Sequence, residues 1–238
     1  MIRKRPLLLD CGCSAGGGAM GYHRAGFDVL GIDIKPQPRF PFLFIQTDML
    51  DFLEKYGREF DVIHASPPCQ AYSVLRHLAK KTHPMMIEPV RELLKKSGRP
   101  YIIENVVGAP LIEPIRLCGS SFGLDLRRHR LFETNWPCEG KSCDHAWQTP
   151  RFPANRSDRR KAGCLARVIV VAGHDTRNFN HLASVVSPHG GIQEAGGVAE
   201  WKRAMEIDWM IRDELSQAIP PVYTLHIGKQ ILELLRTA

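Results

Sequence analysis

Apolar positions fall in short runs through the first 135 residues, and the runs alternate with stretches whose apolar residues recur every three or four positions. "RPLLLDCG", "FDVLGIDI", "FDVIHAS" and "YIIENV" are compact apolar runs closed by turn residues, and they read as buried strands. "FLFIQTDML" holds a further short strand that closes at Asp48. "CSAGGGAMGYHRAG", "MLDFLEKYGREF" and "PMMIEPVRELLKKSGRP" read as helices. Gly26 is placed to cap the first, and the third has the basic last turn that a helix dipole favours. Strands alternating with helices predict an α/β fold with a mostly parallel, doubly wound sheet.

After "RRHRLFETN" the alternation stops. Residues 136 to about 200 are rich in Pro, Gly, Cys, His and Arg, with one clear strand candidate, "ARVIVVAG", and read as a small inserted lobe. "VAEWKRAMEIDWM" reads as a helix, "DELSQAIPP" opens a closing segment, and "YTLHIGKQILELLRTA" is a final amphipathic helix.

A chain of 238 residues suffices for one core with an appended lobe. No apolar run approaches the ~20 residues that span a bilayer. The start "MIRKRPLLLDCGC" is basic and then apolar, but "PLLL" is too short for a signal peptide, so it reads as a first strand of a cytoplasmic chain. Seven scattered cysteines, an odd count, do not make a disulfide framework, and reduced thiols fit better. The net charge of +7 favours a polyanionic partner such as nucleic acid.

Candidate chemistry collects at predicted strand ends. "LLLDCGCSAGGGAMG" is strand, glycine-rich turn and helix, which lets backbone approach a nucleotide-like ligand. Asp33 ends the second strand, at the usual distance of ~20 residues from the turn, and can accept hydrogen bonds from ribose hydroxyls. The glycines do not follow G-x-G-x-x-G, which argues for an adenosyl ligand without phosphate over a dinucleotide; a turn with no ligand stays open. In "VIHASPPCQAYS" two prolines hold Cys69 at a strand end, where it is a nucleophile candidate or a structural cysteine. Glu104 ends the next strand and completes a nucleophile–acid pair, unless it is a surface carboxylate or a helix cap. Arg128 and Arg130, two apart on an extended segment, share a side and suit a carbonyl oxygen, a carboxylate or phosphates; a solvated basic loop is the alternative.

Together, "DCGCSAGG", "GIDI", "TDML", "PPCQAYS", "ENVVG", "RRHR" and "SQAIPP", in that order, resemble the cytosine-C5 DNA methyltransferase family. The likeness covers most of residues 6 to 135 and 214 to 235 and extends to small bacteriophage-type members, for which restriction evasion, a restriction partnership and regulation are all open roles. It implies a Rossmann-like sheet: a catalytic domain over 1–135 that binds S-adenosylmethionine, a basic target-recognition lobe over 136–200, and a segment over 201–238 returning to the catalytic domain. It implies that Cys69 attacks C6 of a flipped cytosine, Glu104 protonates N3, Arg130 holds O2, and Arg128 steadies Glu104 or a phosphate. For the cofactor it implies Asp10, Ser14, Ala15 and Gly16 around the methionine part, Asp33 at the ribose, and Ile34 and Asp48 at the adenine. Pro67 would border the methyl donor, and Gln217 stands where the family has an Asn. A loop "AYSVLRHLAKKTH" would close on the base, with Arg76, Lys80 and Lys81 at phosphates. The expected partner is double-stranded DNA, with no membrane and the chain a monomer. A tRNA cytosine-C5 methyltransferase and a catalytically weak nucleic-acid-binding homologue are the alternatives.

The sequence departs from the family pattern at Gly12, where a Phe is usual, at Ser14 for a Gly, at Leu126 for a Gln, and at Ser216-Gln217 for Gly-Asn. Loss of the aromatic wall is expected to loosen the cofactor pocket. The lobe is short and basic through Arg151, Arg156, Arg159, Arg160, Lys161 and Arg167, and "RSDRRKAG" reads as a phosphate-contacting loop or a solvated charge run. Cys138, Cys143 and His145, with Cys164 or His174, could form a tetrahedral zinc site, but C-x4-C-x-H is no standard finger and the resemblance implies no metal.

Overall fold

A computed structural model describes residues 5–72, 84–124, 126–145 and 198–237. The strand candidate "ARVIVVAG", the basic loop "RSDRRKAG", Arg76, Lys80 and Lys81 lie outside the described residues. The elements are β1 (Leu7–Cys11), α1 (Gly17–Ala25), β2 (Asp28–Asp33), β3 (Leu43–Gln46), α2 (Met49–Tyr56), β4 (Val62–Ala65), α3 (Ile87–Ser97) and β5 (Tyr101–Asn105). There follow β6 (Ile115–Leu117), β7 (Arg130–Thr134), α4 (Val198–Met205), α5 (Arg212–Gln217) and α6 (Pro221–Thr237). No described helix is long and apolar enough to cross a membrane.

The sheet runs in the order β3-β2-β1-β4-β5-β7-β6. The first five strands in that order pair in parallel, while β7 pairs antiparallel with both β5 and β6. The expected doubly wound, mostly parallel sheet is therefore present. Antiparallel β7 and the edge strand β6 beyond it are an addition: "RLFET" is a short mixed run and "IRL" a three-residue one, each too brief to show a period on its own.

Successive residues of a strand face opposite sides, which is why the central strands carry unbroken apolar runs. Leu8 points into a cluster with Tyr22, Phe27, Val62, Tyr223 and Ile227, under α1 and α6. Leu9 points into one with Leu53, Ile63, Val90 and Leu94, under α2 and α3. The α1–α6 contact depends on a missing side chain. A Cβ on Gly21 would stand 2.0 Å from both the Pro221 carbonyl and Thr224 Oγ1.

Across the sheet, Arg91 of α3 and Glu133 of β7 form a buried two-pronged ion pair, Nε to Oε1 and Nη2 to Oε2 at 2.8 Å each. Arg91 also donates to the Pro110 carbonyl at 2.9 Å, and the Ile112 N–H donates to Glu133 Oε2 at 2.8 Å. This network fixes the strand that carries Arg130.

The segment expected to be helical through Met210 stops sooner. α4 ends at Met205, and Glu206 turns left-handed at φ 56°. The Ile207 N–H reaches back to the Lys202 carbonyl at 2.9 Å, closing the helix end. Trp201, Met205, Ile207 and Met210 can then pack with Ala15 and Leu126. The turn sacrifices helix length and gains burial beside the first glycine-rich loop. Residues 136–145, the start of the predicted lobe, lie along the sheet: Trp136 and Cys138 pack on the main core, and the Glu139 N–H donates to Gln230 of α6 at 2.8 Å.

Candidate active site

The parallel strands deliver their carboxyl ends to one edge. β1 stops at Cys11 because the Gly12 and Cys13 N–H groups turn back onto the Ile32 carbonyl, at 2.8 and 3.1 Å. Gly12 is left-handed at φ 71°, and a Cβ there would stand 2.5 Å from the Ser66 carbonyl. The site expected to be an aromatic wall with its ring missing is instead occupied by neighbouring backbone. Ser14 takes φ 48°, a conformation that costs a non-glycine residue roughly 1–2 kcal/mol. Its N–H is held by Asp33 Oδ2 at 3.1 Å, while Asp33 Oδ1 accepts the Lys35 N–H at 2.9 Å. Both Asp33 oxygens are thus fixed by backbone, each with a lone pair left over.

Asp10, buried at the end of β1, has no hydrogen-bond partner for Oδ2 among the described residues. Burial, and then the charges of Asp33 and Glu104, push its pKa up to about 7. An acid with a raised native pKa keeps its proton in the folded state up to about pH 7, while the unfolded chain loses it near 3.8. Stability therefore falls as pH rises through that window, by an amount on the order of 4 kcal/mol. Asp10→Asn is expected to stabilise the cofactor-free protein at pH 8 and to change little near pH 4. Urea unfolding at both pH values checks this, and equal pH slopes in the two proteins would count against it.

The next strand end carries the thiol. β4 is followed by Ser66, two prolines and Cys69, and the turn closes through the Tyr72 N–H to the Cys69 carbonyl at 3.0 Å. The Asn105 amide donates to the Pro67 carbonyl at 2.9 Å and ties this turn to the adjacent parallel strand β5. Glu104 of β5 is buried, and Arg130 Nε stands 2.9 Å from its Oε1. The pair is electrostatic: that N–H is not aligned on Oε1, which keeps no hydrogen bond of its own. Burial raises the Glu104 pKa against the opposing pull of Arg130, Arg128 and a Ser66 hydrogen bond. Burial also raises that of the Cys69 thiol, with Arg130 and Arg128 again pulling it down.

The charges of Arg128 and Arg130 act on both the Cys69 thiol and the Glu104 carboxyl, so these four side chains lie near one another. Arg128 is fully buried. Its Nη2 donates to the Ser216 carbonyl at 2.8 Å, and its own carbonyl accepts the Tyr223 hydroxyl at 2.6 Å. The closing segment is thereby drawn onto the site, while Gln217 itself stays exposed. Ala15, whose carbonyl accepts the Trp209 indole N–H at 2.8 Å, and Gly16, the N-cap of α1, complete the first turn. Ile34 is 66% exposed, as an apolar platform would be. Asp48 is the N-cap of α2, its Oδ1 accepting the Leu50 and Asp51 N–H groups at 2.8 and 3.3 Å.

One arrangement escaped the sequence reading. Tyr22 Oη lies 2.9 Å from His64 Nδ1, and His64 Nε2 lies 3.0 Å from Ser66 Oγ. Ser66 bonds Glu104 in turn. Burial pushes the His64 pKa down to about 3, so the ring is neutral. With Ser66 donating to the carboxyl, only the Nε2–H tautomer completes the run. A buried polar chain thus holds Glu104 from behind. Its visible signal is a histidine in the middle of the apolar strand "VIHA".

A scan against known protein families matches none of them. The chain aligns over 97% of its length with 99% of a prophage-encoded E. coli protein described as a DNA modification methyltransferase, at TM-score 0.59 and 14% identity. It aligns over 98% of its length with 99% of S. pombe Dnmt2 methyltransferase, at TM-score 0.61 and 14% identity. The chain shares the fold of these methyltransferases. In sequence it is 27% identical over 122 residues to the Type II methyltransferase M.XorII of Xanthomonas oryzae. That match covers 44% of this chain and spans 29% of the relative's length.

Proposed function

We propose that the protein is an S-adenosylmethionine-dependent methyltransferase acting on C5 of cytosine in double-stranded DNA. The observation that carries this is Glu104 held 2.9 Å from Arg130 beside the Cys69 turn, at the carboxyl edge of the methyltransferase-type sheet. The kinship in fold with a protein described as a DNA modification methyltransferase supports DNA as the polymer.

The residues at the first turn fit the cofactor. Asp33 offers two oriented oxygens for a ribose diol, Ile34 an apolar face for a base, and Asp10 an unpartnered oxygen for a cationic group. Ser14, Ala15, Gly16 and Pro67 bound the methionine side, with Asp48 and Gln217 at the margins. When bound, the cofactor supplies an electrophilic methyl group.

The chain's own groups prepare the acceptor. Cytosine C5 is a weak nucleophile, and adding sulfur at C6 divides one hard step into easier ones. Cys69 Sγ bonds C6, its proton leaves, and the ring π electrons move toward C5 and N3. Glu104, whose pKa is raised, gives N3 a proton, and Arg130 holds the base O2. After C5 accepts the methyl group it loses its hydrogen as a proton to solvent, and N3 returns its proton to Glu104. The C6–S bond then breaks, Cys69 departs as thiolate, and the C5=C6 bond is restored. The two guanidiniums lower the cost of that thiolate. A base inside a duplex must be flipped out to reach this buried site.

Tritiated S-adenosylmethionine offered with duplex DNA or with tRNA tests the reading. Label is expected in the DNA, at cytosine C5. Label in tRNA alone would transfer the chemistry to the other polymer. Failure to bind the cofactor by isothermal titration would leave a nucleic-acid-binding protein without transfer activity.

A further inference from the structure

Outside the catalytic edge, four side chains from three separated parts of the chain converge. Cys118 follows β6, His129 lies between the two site arginines, and Cys143 and His145 come from the segment after β7. Their ligand atoms all lie within 4.8 Å of one another. Cys118 Sγ is 3.3 Å from His145 Nε2, and Cys143 Sγ is 3.6 Å from His129 Nε2. A tetrahedral zinc with bonds of about 2.0 Å to nitrogen and 2.3 Å to sulfur spaces its ligands about 3.3–3.8 Å apart. Both contacts fall at that spacing, and the longest separation needs to close by about 1 Å. Cys118 and His129 are buried, Cys143 and His145 half-buried, so the cluster is a closed, structural kind of site with no open coordination position. Two soft thiolates with two imidazoles select zinc over hard cations.

We infer that Cys118, His129, Cys143 and His145 bind one structural Zn²⁺ that fastens the segment following β7 to the arginine-bearing segment of the site. The ligands differ from the sequence expectation. Cys138 is packed against the core and is not among them, and Cys164 and His174 lie outside the described residues. Binding releases the two thiol protons to solvent and leaves a neutral centre, a charge state compatible with burial. The site has a mechanical consequence. The His129 carbonyl accepts Arg130 Nη1 at 2.9 Å, so a metal that fixes His129 also limits the freedom of Arg130.

The test is elemental analysis of the full chain, purified under reducing conditions without an affinity tag that binds metal. About one zinc per chain is expected, falling to near zero in Cys118→Ser and in Cys143→Ser while Cys138→Ser retains it. Replacement by Co²⁺ in the wild-type chain is expected to give intense visible bands of tetrahedral cobalt with a thiolate charge-transfer band. That readout stands even if a serine variant fails to fold. Only trace zinc together with no tetrahedral cobalt spectrum would overturn the site, as would loss of metal from Cys138→Ser equal to that from Cys118→Ser. None of these readouts depends on methyl transfer, so the zinc centre and the proposed activity can fail separately.

Discussion

Cys69→Ser is expected to lower methyl transfer by a factor of about 10³ or more while leaving cofactor affinity unchanged, because the removed sulfur is the atom proposed to bond the base. A serine hydroxyl has the same reach but a far higher pKa than the thiol. The two guanidiniums that ease a thiolate at residue 69 cannot ionise an alcohol at neutral pH. Most of the groups proposed to hold the cofactor lie at the ends of β1 and β2, and the substitution exchanges one atom in the turn after β4. Steady-state transfer to duplex DNA, with isothermal titration of S-adenosylmethionine, separates the two quantities. Duplex carrying 5-fluorocytosine at the target is expected to trap wild-type protein covalently, since C5 then has no proton to lose. The serine variant is expected to form no adduct. Turnover by that variant within tenfold of wild type would remove the covalent mechanism.

Glu133→Ala is expected to destabilise the fold by about 3–5 kcal/mol, the usual cost of stranding one member of a buried pair. Arg91 and Glu133 are each 2% exposed, and the glutamate satisfies two guanidinium nitrogens and the Ile112 N–H. Removing it leaves a buried cation with the Pro110 carbonyl and the exposed carboxylate of Glu88. Because β7 also begins with Arg130, partial fraying would lower activity before global unfolding. Denaturant unfolding monitored by far-ultraviolet circular dichroism gives the magnitude. A change below about 1 kcal/mol would mean that water reaches the site and replaces the carboxylate. Replacing both residues with apolar side chains of similar volume is expected to recover much of the loss.

The two outcomes separate what each level of description supplies. Cys69 and Glu104 lie together because each stands at or just after the end of a parallel strand, and a parallel sheet sends those ends to one edge, whereas Arg128 and Arg130 reach the same edge because β7 starts there and runs antiparallel to β5. The rear support of Glu104 was not legible. Tyr22 of α1 and His64 of β4 meet only through the tertiary packing of the helix on the sheet, and no spacing along the chain encodes that contact. Gly12 shows the same limit from the other side. By comparison with the family pattern it suggests a missing ring, whereas its φ of 71° and the Ser66 carbonyl against it show that no side chain fits.

By itself, the order of apolar runs determined the doubly wound sheet, because strand and helix periods are local properties that a 238-residue chain repeats many times. It also determined which strand ends carry reactive groups. Only the tertiary structure decided that Arg128 turns inward to Ser216, that β6 and β7 complete the sheet in antiparallel register, and that Cys118 and His129 join Cys143 and His145. These contacts join residues far apart in sequence, and their partners are selected by burial and by the strong tendency of buried polar groups to be paired.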